Sequence, residues 1–482
     1  MKVTNILKNQ HLLWRAGFGP MAEMTESLET MSQKALWDLL KKGSASTPQK
    51  ISGSKSDISN FYTDATAMMG MKPEERVQKG ILRRRQSKQD LIEMNVAWLS
   101  TMVNSKAQLR EKMSLFWHGH FASRNNNSFF QQEILHVIRT HGLGNFRTLL
   151  HEVSKTPAML AFLNNQQNKK EHPNENFARE VMELFTLGRG YYTEHDIREG
   201  ARAFTGWGTD QQGRFNERPR LHDNGSKTFL GKTGNFDGDQ ALDIILDNPR
   251  TAVFIAGKIY SFFVNEKRDE KIINALADKF RKDYEILPLL ENIFTSDWFY
   301  KEENIGKIIK SPVVLLAGIR RMMPIALDSA ESQIALQKLL GQILFYPPNV
   351  AGWAGGKTWI DSSTLMLRLQ IPQLFAAKET VNLRPKSDDD VNMGMMEEKA
   401  LKVNKNQTMR TMASGEIDWK TTVDAFKNVK REELATAISN SLLQTDSLNI
   451  ATVVPFINQQ SRESFIKSAV VNIMSTPEYQ LC

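Results

Sequence analysis

Two glutamates three residues apart are candidates for chemistry in this chain. Glu180 and Glu183 lie in the segment 175–187, whose apolar residues recur at helical spacing. Because residues i and i+3 share a helix face, the two carboxylates could hold a cation, or act as acid and base if their environments separate their pKa values. Arg179 would then bind substrate beside them. The same pattern also fits a solvated face on which Arg179 pairs with Glu183, so the functional interpretation requires this face to line a cleft.

Two histidines flank a glycine in the segment Phe116-Trp-His-Gly-His-Phe121. Large apolar side chains surround the helix axis here, so His118 and His120 are predicted to be buried and to need a hydrogen-bond partner or a metal. In an unbroken helix their rings point about 200° apart, whereas a break at Gly119 would bring them to one side. We therefore predict either two hydrogen-bonded core histidines or a metal site. In the second case the two histidines and the two glutamates above are the ligands, and His118 and the glutamates carry the reaction.

Two further pairs of residues could bind a substrate. His222 and Asp223 precede Asn224-Gly225, a dipeptide typical of a tight turn, where an aspartate commonly bonds its own backbone. Trp353 and Trp359 lie in a glycine-rich segment. Exposed indole rings there could stack on a sugar, whereas buried rings would plug the space under neighbouring helices.

The cysteine content limits the kind of metal site. The only cysteine is Cys482, so the chain offers no thiolate cage. A divalent metal would have oxygen and imidazole ligands, which suit Mg, Mn, Ca, non-haem iron or an open zinc site. The sequence has no Walker loop, dinucleotide-binding glycine pattern, His-Glu-x-x-His or Gly-x-Ser-x-Gly motif. Nucleotide binding and serine-hydrolase chemistry are therefore not favoured.

The elements that must position these residues are predicted to be helices. A long amphipathic segment covers 73–103, and helical periodicity continues beyond it. The other helical segments are predicted at 106–122, 128–141, 145–163, 175–187, 193–205, 239–247, 251–264, 268–283, 287–297, 312–324 and 330–344. The exception is 213–235, where Asn224-Gly225 suggests a hairpin. The fold class is therefore all-α, a large multi-helix globular body with a small β-hairpin insertion near 213–235.

Apolar periodicity also suggests how the chain is divided. Residues 1–379 are predicted to form a main helical domain that includes the hairpin. Residues 380–417 lose the periodicity and are predicted to be a linker or a long loop. The pattern returns in 418–482, so we expect a C-terminal helical segment that packs on the main body.

Charge and hydropathy bear on partners and location. The 62 Lys and Arg residues against 54 Asp and Glu give a net charge of +8, which is dilute over 482 residues. The basic run Arg83-Arg84-Arg85 is interpreted as a solvated helix face, and nucleic acid is not an expected partner. No window reaches the roughly 18 apolar residues of a membrane span. Because no signal peptide is visible, we expect a cytoplasmic protein, or a periplasmic one if an exported partner carries it.

Four motifs together resemble a known bacterial family. They are His11-Leu-Leu-Trp-Arg-Ala-Gly-Phe-Gly19, Phe116-Trp-His-Gly-His-Phe121, Asn174-Glu-Asn-Phe-Ala-Arg-Glu-Val-Met-Glu-Leu-Phe-Thr-Leu-Gly188 and Tyr346-Pro-Pro-Asn-Val-Ala-Gly-Trp353. The chain is similar along nearly its whole length to the family known as domain of unknown function 1800. Members are often encoded beside a sulfatase-like protein with a twin-arginine export signal. The resemblance thus implies a sulfatase-like partner and an envelope or polysaccharide-related role, and a carbohydrate ligand is the one that Trp353 and Trp359 would bind.

Two functions follow from these observations. The first is a metal-dependent enzyme, a hydrolase or an oxidoreductase, with a site of histidines and carboxylates between helices. The alternative is a non-catalytic protein that uses Trp353 and Trp359 to bind a glycan or to assemble with its sulfatase-like neighbour. The direction in which the polar helix faces point distinguishes the two.

Overall fold

Helices form most of the computed structural model of this protein, which describes residues 3–52, 70–210, 213–327, 329–377, 415–445 and 447–482. The α-helices are, in chain order, α1 Asn5–Ala16, α2 Ser27–Thr30, α3 Gln33–Ser44, α4 Pro73–Asn104, α5 Gln108–His120, α6 Ser128–His141, α7 Phe146–Ser154, α8 Pro157–Phe162, α9 Asn176–Glu180, α10 Glu194–Ala203, α11 Gly238–Asp247, α12 Pro249–Phe263, α13 Glu270–Phe280, α14 Ile286–Phe294, α15 Pro312–Met322, α16 Ala330–Leu340, α17 Ser362–Ala377, α18 Trp419–Asp424, α19 Leu434–Leu442 and α20 Arg462–Met474. The predicted all-α class is confirmed.

Local sequence explains where two predicted helices depart from a single α-helix. The predicted segment 145–163 is divided because Thr156 caps a new helix and Pro157 occupies its first turn. The segment 175–187 begins as α9 and continues as a π-helix, Val181–Thr186. There Thr186 Oγ1 donates to the carbonyl of Val181 at 2.6 Å, five residues back. Such π-helical turns are rare and are frequent at functional sites.

The strands form three two-stranded antiparallel sheets within the described residues. They are β1 Trp207–Thr209 with β2 Phe215–Glu217, β3 Lys227–Phe229 with β4 Lys232–Gly234, and β5 Ile325–Leu327 with β6 Gly415–Ile417. The β3–β4 hairpin lies in the predicted range 213–235, but its turn is Leu230-Gly231, with φ of 47° and 79°. The prediction that Asn224-Gly225 forms this turn was wrong. That dipeptide precedes β3, and Asp223 Oδ1 accepts the Gly225 N–H at 2.8 Å.

The interior consists of two hydrophobic cores. The first contains apolar residues of α3 and of α6 to α14, and the second contains those of α4, α15, α16, α17, α19 and α20. Helices α1 and α5 contribute to both: Met113 and Phe116 of α5 belong to the first core, and Leu115 belongs to the second. Helix α5 therefore lies at the boundary, and its polar side chains are buried as well. These are Gln108, Arg110, Glu111, Lys112, Ser114, His118 and His120.

The C-terminal residues pack against the rest of the chain. Ile417 of β6 pairs with Ile325 of β5, and α20 contacts α17. The backbone of Cys482 exchanges two hydrogen bonds with that of Ile308, at 2.8 and 3.0 Å. Most of the predicted linker 380–417 lies outside the described residues. Among the described helices, none combines the length and apolarity that a membrane span requires.

Candidate ligand-binding cavity

A cavity of about 440 Å³ lies where the two cores meet. Helices α1, α5, α12 and α15, the segment 308–311 and the loop 351–359 form its wall. Each of the four motifs of the sequence contributes at least one residue, for example Arg15, His120, Leu184 and Trp353. Segments that are far apart in the chain therefore converge on one open cavity, whose volume is within the range typical of small-molecule sites.

Three positively charged side chains form one side of this cavity. Arg15, Lys112 and Lys310, which we call the cationic wall, are only 1%, 4% and 1% exposed. None of them forms an ion pair with a described carboxylate. Charged side chains are rarely buried without a partner, because removing a charge from water costs several kcal/mol. Glu266 and Cys482, which also line the cavity, attract members of the wall without forming an ion pair, so its three positive charges are compensated only in part.

Backbone carbonyls and aromatic rings partly stabilise the two lysines. Lys112 Nζ donates to the carbonyl of Trp14 at 3.0 Å. Lys310 Nζ donates to the carbonyl of Tyr479 at 2.5 Å and lies 3.7 and 3.6 Å from the ring centres of Trp14 and Tyr479. Cation–π contacts of this kind favour the charged amine. They do not supply a negative charge.

Arg15 has free hydrogen-bonding capacity. Its Nη2 donates to the carbonyl of Asn304 at 2.9 Å, whereas Nε and Nη1 are buried without a partner in the structure. A guanidinium presents its N–H groups in a fixed planar fork that matches an oxyanion. Arg15 thus retains donors for a group that enters the cavity.

Burial favours the neutral form of the two lysines in the cationic wall. It lowers the pKa of Lys112 to about 8 and that of Lys310 to about 7, while attraction to Cys482 acts in the opposite direction. The positive charge of Arg15 further lowers the pKa of Lys112, and that of Lys112 lowers the pKa of Lys310. A bound anion would reverse these effects, because it favours the charged form of each amine.

The other side of the cavity is largely apolar. We call Phe116, Leu184, Phe262 and Trp353 the apolar wall. Phe116 is buried and the other three are partly exposed. Trp359 also lines the cavity and is 9% exposed. The predicted tryptophan pair is therefore divided between a partly exposed ring and a buried one, and both line the same cavity.

His118 is a hydrogen-bonded core histidine, which is one of the two alternatives that the sequence predicted. It is 2% exposed, and its Nε2 accepts the backbone N–H of Phe345 at 3.0 Å. Burial lowers its pKa to about 3, so the ring is neutral. It packs against Trp98, Phe345 and Trp353. His118 therefore supports the segment that carries Trp353.

His120 lines the cavity. Helix α5 remains unbroken through Gly119 to His120, so the two rings reach different elements. Because a carbonyl only accepts, the 3.0 Å contact of His120 Nε2 with the carbonyl of Phe185 places a proton on Nε2 and leaves Nδ1 as an acceptor. Burial, with a smaller effect of the nearby Lys258, lowers the pKa of His120 to about 3.

Glu180 and Glu183 have different environments, but neither lines this cavity. Burial, and then the charge of Glu183, raises the pKa of Glu180. Glu183 accepts from Tyr192 Oη at 2.5 Å and pairs with Arg189 at 2.6 Å, and these contacts lower its pKa. The opposite shifts are what an acid and base pair requires. The expected pairing of Glu183 with Arg179 does not form.

The four predicted metal ligands are not brought together. Within the described part of the chain, no three side chains of His, Cys, Asp or Glu are arranged to hold a metal ion. The hydrogen bonds of the two histidines explain this arrangement, because each ring is directed to a different backbone group.

The remaining predicted binding residues make structural contacts. Arg179 pairs with Glu175 at 3.2 Å and with Glu194 at 2.9 Å. Asp223 pairs with Arg202 at 2.7 Å. His222 Nδ1 lies 2.9 Å from a backbone carbonyl, that of Thr205. These residues are not part of the cavity wall.

Sequence reasoning missed the cationic wall. Arg15, Lys112 and Lys310 lie on three separate segments, so no spacing connects them. A local signal exists, because Arg15 and Lys112 are charged residues on helices whose neighbouring positions are apolar on several sides. That signal identifies a buried charge, but it does not identify its neighbours.

Comparison with known proteins supports the resemblance. A family model described as "Protein of unknown function (DUF1800)" matches residues 11–481. The match includes every residue of the cationic and apolar walls. No curated protein and no solved structure matches the chain.

Proposed function

This chain belongs to the DUF1800 family, and we propose that it binds a small organic anion in the cavity between its two cores. The observation that carries the proposal is the cationic wall, Arg15, Lys112 and Lys310, buried in one cavity where none of the three forms an ion pair with a described carboxylate. An anion would add to the partial compensation by Glu266 and Cys482 and accept the free N–H groups of Arg15. Binding sites of this kind are mostly apolar with a few convergent polar groups.

A purely structural role accounts less well for these three residues. Carbonyl hydrogen bonds and aromatic rings compensate part of the cost of burying each charge. However, burial lowers the pKa values of Lys112 and Lys310 by more than the attraction of Cys482 raises them, and repulsion by Arg15 and Lys112, respectively, lowers them further. Apolar residues of similar size would fill the same volume without that cost. Charged residues at these three positions are therefore explained if they bind an anionic ligand.

The test is calorimetric titration of the full chain with benzoate, phenyl phosphate and inorganic phosphate. We expect at least one of the three to bind with 1:1 stoichiometry. Arg15→Met and Lys112→Met should each weaken that binding about 10- to 100-fold, which corresponds to the loss of one charge-assisted hydrogen bond. Lys282→Met, which removes an exposed lysine, is the matched control and should bind like the wild type.

Stability measurements on the same variants separate function from structure. If the charges serve a ligand, the methionine variants should unfold at the wild-type temperature or higher in the absence of an anion. Large losses of stability together with unchanged anion affinity would contradict the proposal. Failure of all three anions to bind the wild type would also overturn it.

The functions predicted from the sequence remain predictions. The opposite pKa shifts of Glu180 and Glu183 support an acid and base pair, but the metal-dependent enzyme with His118 and His120 as ligands has no further support in the geometry. A carbohydrate ligand, a sulfatase-like partner and the cytoplasmic or periplasmic location are likewise untested. The partly exposed Trp353 keeps the glycan-binding alternative open to experiment.

A further inference from the structure

We infer that the ligand is an aryl oxyanion, in which a flat aromatic ring carries one carboxylate, phosphate or sulfate group. This inference rests on the proposed anion-binding function and adds the class of ligand. It is based on the division of the cavity into a cationic wall and an apolar wall, with no large gap between them. Lys112 Nζ lies 5.7 Å from the ring centre of Phe262, so a charged end and a ring end of one small molecule can be accommodated together.

The apolar wall favours a flat ring over a polar one. Phe262 and Trp353 each leave part of an aromatic ring exposed to the cavity, and Leu184 adds an aliphatic surface. Aromatic rings pack on one another in offset or edge-to-face arrangements that contribute beyond the area they bury. These side chains offer no acceptor to the hydroxyl groups of a sugar. A saccharide would therefore bury unsatisfied donors at this wall.

A carboxylate near the opening orients the ligand. Glu266 lines the cavity but is exposed. Its carboxylate lies so close to Gly356, whose φ is +65°, that a Cβ there would be 2.5 Å from both oxygens. The negative charge of Glu266 repels an anionic group at that position. The anionic end is therefore expected to lie away from Glu266, where the two charges of Lys112 and Lys310 outnumber that of Cys482, with the ring against Phe262 and Trp353.

A matched ligand series tests this inference. The full chain is titrated with benzoate, cyclohexanecarboxylate, glucuronate and acetate, which share one carboxylate and differ in the body attached to it. A parallel series contains phenyl phosphate, glucose 6-phosphate and inorganic phosphate, with phenyl sulfate against inorganic sulfate. We expect the aryl member of at least one series to bind about tenfold tighter than every other member of that series. The series in which it does so identifies the oxyanion.

The outcomes distinguish this inference from the proposed function. If anions bind but in no series does the aryl member bind more tightly than glucuronate, cyclohexanecarboxylate or the simple anion of that series, the aryl assignment is wrong while anion binding stands. If no member of any series binds, both fail. A saccharide anion that binds best would instead support the glycan alternative.

Variants of the apolar wall provide an independent measurement. Phe262→Leu and Trp353→Leu keep apolar volume but remove the ring, so each should weaken benzoate or phenyl phosphate binding while leaving the affinity for acetate or inorganic phosphate unchanged. Phe456→Leu removes a ring that is 73% exposed elsewhere on the surface and serves as the control. Equal losses for aryl and simple anions would show that the rings act only through the fold and would overturn the inference.

Discussion

The Nε2 atom of His118 accepts the backbone N–H of Phe345 at 3.0 Å, and Phe345 has a φ of 70°. Residues other than glycine rarely adopt this left-handed conformation, which costs roughly 1 to 3 kcal/mol and persists only where surrounding contacts impose it. His118 also contacts the ring of Trp353. One neutral imidazole thus contacts both Phe345 and Trp353, which lie before and within the loop 351–359 of the cavity wall.

The first prediction concerns this hydrogen bond. His118→Leu removes the acceptor and leaves the Phe345 N–H buried without a partner, so the free energy of unfolding should fall by about 1 to 3 kcal/mol. Urea unfolding followed by circular dichroism measures the change. His195→Leu, at an exposed histidine, is the control and should change stability by less than about 0.5 kcal/mol. Similar stability of the His118 variant and the wild type would mean that the bond does not hold Phe345.

The second prediction is sensitivity to acid. The pKa values of His118 and His120 are lowered from 6.5 to about 3 in the folded chain, so the unfolded chain binds more protons between these values. The stability that the neutral rings contribute is complete above about pH 6.5 and is lost as the pH falls toward 3, at up to about 1.4 kcal/mol per pH unit for each ring. Urea unfolding from pH 7 to pH 4 should show this slope. His120→Gln should reduce it, and an unchanged slope would contradict the assignment.

The fold was largely predictable because hydrophobic periodicity determines which helices form. The long helix predicted at 73–103 is observed as Pro73–Asn104. The predicted segment 193–205 is observed as α10, which Thr193 and Asp196 begin with a reciprocal capping box. The π-helix that begins at Val181 was not predictable from the pattern, because its apolar residues fit an ordinary α-helix equally well.

The site was less predictable for a physical reason. A periodic pattern shows which face of a helix is buried, but it does not show which helices meet. The burial of His118 and His120 followed from the residues around them, whereas their partners, Phe345 and Phe185, lie on distant segments. The cationic wall depends in the same way on contacts between α1, α5 and the segment 308–311.

The third prediction is that anion binding and stability depend on pH in opposite directions. The pKa of Lys310 falls from 10.5 to about 7 on folding, so the unfolded chain binds more protons between about pH 7 and pH 10.5, and the stability of the ligand-free protein should rise with pH there. Benzoate needs the charged amine, so its affinity should fall about tenfold or more between pH 7 and pH 9. Lys310→Met should reduce both trends. An affinity that rises with pH would exclude Lys310 from the site.

The fourth prediction separates the two glutamates. Glu183→Gln weakens contacts with Arg189 and Tyr192 and should lower the free energy of unfolding by about 1 kcal/mol. Glu180→Gln should be neutral or slightly stabilising, because burial already disfavours the charge of Glu180. Urea unfolding at neutral pH compares the two variants. A larger loss at Glu180 would show that its carboxylate has a structural partner.

The last prediction uses two glycines in contact at the edge of the cavity. Gly119 lines the cavity, lies in α5 and would place a Cβ in open space. Gly352 has a φ of +78°, and a Cβ there would collide with the carbonyl oxygen of Gly119. Gly119→Ala should therefore stabilise the protein by about 0.5 to 1 kcal/mol, because alanine is the better helix former. Gly352→Ala should destabilise it by about 1 to 3 kcal/mol through strain and overpacking.

Gly119→Leu extends a side chain from the cavity wall and should weaken benzoate binding about tenfold or more while the fold is retained. Urea unfolding and calorimetric titration of the three variants give both quantities. If Gly119→Leu binds benzoate as tightly as the wild type, the anion does not occupy the cavity beside α5.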